Sequence, residues 1–245
     1  VDRVLDQLAV ATPEPAGRVL LAGAFNDIGI GRHVRLAERL EAARTRSRRD
    51  NDTACEAVAT TYQGFSSATI DPAQAVALAE RGVELARLVD DPEIVGLALG
   101  WAGATAFIAG DRQGALRWLD EARTQPFAEH SLAHFHCLFA EAFVLLGVGE
   151  VDAAEATLDE SLHHLPQAGA TRTAVHILKA FWHARRAEAT AIAERANEAL
   201  ELSLSLGAST QLPDVALATC ELLELSGHPE RASELCAALH RQPLT

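Results

Sequence analysis

Methionine is absent from the 245-residue chain, and lysine occurs once, as Lys179, against twenty arginines. With abundant alanine, that bias is what GC-rich codons produce; it points to a high-GC bacterial genome and says nothing of function. Aromatic residues make up only 5%, and no run alternates β-branched with polar residues as a half-buried strand would. A sheet is therefore not expected. The four cysteines, Cys55, Cys137, Cys220 and Cys236, are far apart with no CxxC pair. In a chain of this length they read as reduced thiols of a cytoplasmic protein, not as a disulfide frame. No apolar run approaches the roughly 18 residues of a membrane span; the longest candidate, Ala140 to Val148, contains Glu141. The start of the chain lacks a secretory signal pattern. Net charge is −13 and the pI about 5.2, the wrong sign for a protein that coats phosphate backbones.

What is present is helix. Hydrophobic residues reach 49%, dominated by Ala, Leu and Val, which is enough for a core and favours helix over strand. In Arg112 to Arg123 the apolar residues Ala115, Leu116, Leu119 and Ala122 recur at spacings of three and four. Asp152 to Leu162 repeats the pattern. More apolar helices are expected ahead of the second members, over 92–109, 130–146, 173–186 and 211–225. Asp71-Pro72 and Asp91-Pro92 read as helix starts, since the carboxylate caps free N–H groups and proline lacks one. Gly110, Gly149 and Gly227 stand where a left-handed residue would end a helix.

These segments repeat. Ala115 and Ala154 are 39 residues apart, and the same step reaches Ala193 and Ala232 forwards, Val76 and Ala37 backwards. Twelve positions before these six stand Phe25, Gly64, Gly103, Ala142, Phe181 and Cys220. Four of these six are small, as a close helix–helix approach requires. The spacing resembles the tetratricopeptide (TPR) repeat, in which a small residue of the first helix precedes the alanine of the second by twelve. Ala115, Leu119 and Ala122 match its second-helix pattern, as do Ala154, Leu158 and Ser161. Val76 and Ala193 continue poorly, the closing proline appears only as Pro166, and the step exceeds the usual TPR length of 34. Lengthened pairs of this kind resemble the superhelical sensor regions of bacterial signal-transduction ATPases and transcription activators of the MalT and LuxR type. The resemblance implies an all-α, right-handed superhelical solenoid of about six antiparallel pairs. Residues 1–245 would form a single TPR-like domain excised from a larger protein, with Val1 to Val10 as a second helix lacking its first.

Motifs for catalysis are missing: there is no GxxxxGK[ST], GxGxxG or HExxH. His130, His134, His136 and Cys137 invite a zinc reading, but at 100° per residue His136 points about 160° from His134. One helix cannot close that set round one ion. Asp90-Asp91-Pro92-Glu93 is better read as a helix start than as an acidic metal motif. The run Arg44, Arg46, Arg48, Arg49 suits a helix C-terminus and is too narrow for nucleic acid. No cofactor, membrane or nucleic-acid contact is expected.

The resemblance also places a column facing a concave groove, eleven before the repeating alanine: Asn26, Phe65, Ala104, Phe143, Trp182 and Glu221. Phe107, His136, Phe139 and Arg185 fall in neighbouring columns. Phe65, Phe107, His136, Phe139, Phe143, Trp182 and Arg185 are thus the expected contacts of a peptide, protein segment or small effector. Packing between repeats is the competing role for the same side chains. The expected function is a non-catalytic sensor part of a transcription regulator. A free-standing interaction scaffold is the alternative, and a helical enzyme with an unrecognised site is the least favoured.

Overall fold

A computed structural model describes residues 16–29, 33–128, 131–164, 175–176, 179–180, 183, 189–205 and 212–240. The described residues form helices and turns without a strand. The eleven helices among them are α1 (Gly17–Gly29), α2 (His33–Asp50), α3 (Thr53–Ser67), α4 (Pro72–Val89), α5 (Pro92–Ile108), α6 (Arg112–Arg123), α7 (Leu132–Val148), α8 (Val151–Leu162), α9 (Ala189–Ser205), α10 (Leu212–Leu225) and α11 (Pro229–His240). Positions 175–176, 179–180 and 183 are helical as well.

Local chemistry sets the boundaries. Asp71 accepts from Gln74 N at 3.1 Å, Asp91 from Glu93 N at 2.9 Å and Asp111 from Gly114 N at 2.8 Å, each supplying an acceptor to an otherwise orphaned donor. Ser131 does the same for His134 N at 3.0 Å. Hence α7 begins at Leu132, two residues after the expected start. Gly110, Gly149 and Gly227 have φ of 89°, 90° and 78°, a conformation that costs glycine little. Val1 to Val10 lies outside the described residues.

Each described pair packs together: α1 with α2, α3 with α4, α5 with α6, α7 with α8, and α10 with α11. The first members also touch in sequence, α1 with α3, α3 with α5, and α5 with α7. The second members α2, α4 and α6 each meet the next first helix.

Close approach explains the small residues. A Cβ at Gly103 would stand 3.1 Å from the Ala115 carbonyl, and one at Gly64 only 2.8 Å from the Ala75 carbonyl. Cys220 Sγ lies 3.6 Å from the Ala232 carbonyl. Ala115, Ala154 and Ala232 are buried, but the 39-residue step needs correction elsewhere. In α4 the buried residue is Ala75, while Val76 is half-buried. The reason is local: α3 ends three residues after Gly64, whereas α5 continues five residues beyond Gly103, and the following turns differ by one residue. In α9 the buried stripe is Ile192, Ala196 and Ala199, with Ala193 half-buried. In α2 it is Leu36, Leu40, Ala43 and Ser47, which leaves Ala37 exposed.

Candidate functional site: the aromatic face of the first helices

The first helices carry an almost continuous aromatic cluster. Tyr62 of α3 and Trp101 of α5 are 39 residues apart and meet at 5.2 Å between ring centroids. Phe25 from α1 meets Tyr62 edge-on at 4.9 Å, and Phe65 lies 4.4 Å from Trp101. From α7, His136 and Phe139 complete the cluster at 5.9 Å and 6.4 Å from Trp101. Such tilted and edge-on pairs suit the ring quadrupoles.

Burial divides it into two layers. Tyr62 and Trp101 are inside, at 2% and 7% exposed. Val58, Phe65, Leu97, Phe139 and Phe143 pack over the same core with edges left open. The Tyr62 hydroxyl lies 3.3 Å from His136 Nδ1, so α3 and α7 touch across α5. Burial raises the Tyr62 hydroxyl well above the usual phenol range, and it keeps its proton. Burial lowers His136 to about 4, so the imidazole is neutral near pH 7 and can accept. The Trp101 indole Nε1 is buried without a hydrogen bond of good geometry, and the Tyr62 hydroxyl is its polar neighbour.

The face carries no free charge among the described residues of α3, α5 and α7. Glu56 is paired with Arg48 at 2.8 Å. Glu93 accepts from Ala128 N at 2.7 Å and from the Ser131 hydroxyl. Both Glu141 oxygens lie 2.7 Å from Arg123 Nε; burial raises the Glu141 carboxyl even so. Hydroxyls are spent locally too, Thr60, Thr61 and Thr105 each donating to a carbonyl one turn back.

Five of the seven expected contact residues can be placed. Phe65, His136, Phe139 and Phe143 are half-buried on this face. Phe107 meets Phe143 edge-on at 6.0 Å, and its ring fills the notch at Gly147, where a Cβ would approach to 2.2 Å. Phe107 is thus a packing residue between α5 and α7. Trp182 and Arg185 lie outside the described residues. Ala104 is buried within the cluster. Sequence reasoning missed Tyr62 and Trp101, although their 39-residue separation was a usable signal.

The remaining candidates resolve plainly. Arg44, Arg46 and Arg48 pair with Glu41, Asp50 and Glu56 at 2.7, 2.7 and 2.8 Å. His134 stacks on Phe127 at 4.6 Å and meets His164 at 4.2 Å; His130 lies outside the described residues. Among the described residues no three His, Cys, Asp or Glu side chains are grouped to hold a metal ion, and no helix is long and apolar enough to cross a membrane. Cys55, Cys137 and Cys220 are buried thiols outside any disulfide, Cys137 raised by burial to about 12.

No family model matches the chain, and no curated protein matches it in sequence.

Proposed function

We propose that this chain is a TPR-like solenoid that works as a recognition module, with its working surface on the first helices of successive pairs. Three features support the architecture: short-range pairing of consecutive helices, the row of contacts from α1 through α7, and small residues at the closest approaches. Repeat arrays built this way have nearest-neighbour contacts and curve into an extended concave surface. A right-handed superhelix of about six pairs follows on this reading.

The observation that carries the function is the half-open row Phe65, Phe139 and Phe143 over a buried aromatic core. An uncharged, preorganised aromatic face costs little entropy to engage, which suits a binding hot spot. The ligand would be a peptide, a protein segment or a small effector, and the cytoplasmic module would pass its occupancy to domains beyond this segment. The sensor of a transcription regulator of the MalT or LuxR type is the assignment we favour over a free-standing scaffold or an enzyme. A nucleotide-binding or helix-turn-helix domain in the full coding sequence would separate sensor from scaffold.

A thermal-shift screen of effectors and peptides against the wild type and Phe143→Ala tests the surface. Ligand at 100 times its Kd stabilises by about 2.7 kcal/mol, so a hit should raise the wild-type midpoint by several degrees and leave the variant nearly unmoved. Equal shifts in both proteins would place recognition elsewhere.

A further inference from the structure

His136 gives the aromatic face one directed polar atom. The Tyr62 hydroxyl holds its proton, and Trp101 beside it can only donate, so the Tyr62 proton is directed at His136 Nδ1. A neutral imidazole that accepts at Nδ1 carries its hydrogen on Nε2. Nε2 makes no hydrogen bond within the described residues and is not among their buried unpaired atoms. His136 is half-buried, and Nε2–H is its remaining donor, on the face of α7 that His136 shares with Phe139 and Phe143 at spacings of three and seven.

Resting on the binding reading above, we infer that this face takes an uncharged small molecule in which an apolar ring system carries an acceptor oxygen, received by His136 Nε2–H. Charge complementarity sets the class. The carboxylates of α3, α5 and α7 are engaged elsewhere and supply no partner for a cation, and these three helices contain no Lys or Arg to serve an anion. The lining consists of helix sides, whose backbone groups are bonded internally. An extended peptide would find no row of donors and acceptors for its own backbone, whereas a ring with one oxygen needs a single donor.

Two dyes test this on the full chain. Nile red is uncharged, polycyclic and bears a ring carbonyl; pyrene offers only hydrocarbon. His136→Asn keeps an acceptor near Nδ1 for Tyr62 and removes the Nε2 donor, while His136→Gln keeps a donor near Nε2. Nile red should bind the wild type, weaken about tenfold in His136→Asn, a change of 1.4 kcal/mol, and stay within about threefold in His136→Gln, in keeping with the worth of one hydrogen bond. Pyrene affinity should be the same in all three, and Phe143→Ala should weaken both dyes. Equal losses for both dyes in His136→Asn, or none, would overturn the donor assignment and leave the binding face intact. If neither dye bound, or both ignored Phe143→Ala, the binding face itself would be overturned. Preferential binding of anilinonaphthalene sulfonate would overturn the uncharged class. An acetylated, uncharged Leu- and Phe-rich helical peptide that displaced Nile red and was insensitive to His136→Asn would give the face to a protein segment instead. Nitrogen-15 spectra of the wild-type imidazole supply a check that needs no variant: the proton is expected on Nε2, and a proton on Nδ1 would refute the inference.

Discussion

At the scale of single residues, His136 and Ala115 carry the most information. His136 titrates near 4 in the folded chain, against about 6.5 unfolded. Its folded value is the lower one, so its share of stability is complete above about pH 6.5 and drains as pH falls towards 4. Because the imidazole keeps an open edge, we expect a loss of about 1–2 kcal/mol between pH 7 and pH 5. Urea midpoints for the wild type and His136→Gln should converge as the solution is acidified; a constant gap would contradict a neutral buried imidazole. Ala115 is fully buried against α5, where extra methylenes force the helices apart. Ala115→Leu and Ala154→Leu should each cost about 1–3 kcal/mol. Thermal midpoints unchanged by both would mean the repeating alanine packs nothing. Trp101 and Tyr62 show why residue-level reading falls short: their importance comes from Tyr62 meeting His136 74 positions away, a contact no helical period contains.

For helices as units, the sequence states boundaries well because capping is local chemistry. The Asp-Pro starts of α4 and α5 and the glycine ends after α5, α7 and α10 sit where they were expected. Asp71→Ala should remove the Gln74 cap and cost about 1 kcal/mol, read as a lower midpoint with little loss of far-UV signal. No change would show that α4 starts without its cap. The register was less legible, since it depends on turn length. After its small contact residue α3 is two residues shorter than α5, its turn is one residue longer, and the net step of one moves the contact from Val76 to Ala75. Periodicity also fails on α5, where residues 95–96 and 98–106 are all buried. A helix flanked on every side by α3, α4, α6 and α7 has no polar stripe to mark its face. The groove column was consequently placed by analogy with the TPR pattern. Its members Phe65 and Phe143 lie on the aromatic face, it passed over the buried pair beneath them, and Phe107 of a neighbouring column packs into the notch at Gly147.

Across the whole molecule, the account's central claim is that the first helices form an open row with exposed ends, not a closed bundle. Neighbouring helices pack about 8–10 Å apart, so six pairs stepped in one direction separate the first pair from the last by about 45 Å. The most direct measurement is a spin-label distance between Arg18→Cys on α1 and Arg231→Cys on α11, both exposed positions, in a chain whose Cys236 is replaced by Ser. We predict a distribution centred at or above about 40 Å, the nearest-neighbour step accumulated along a gently curved array. A distribution centred below about 25 Å, roughly the separation expected within one compact bundle of this length, would contradict the account.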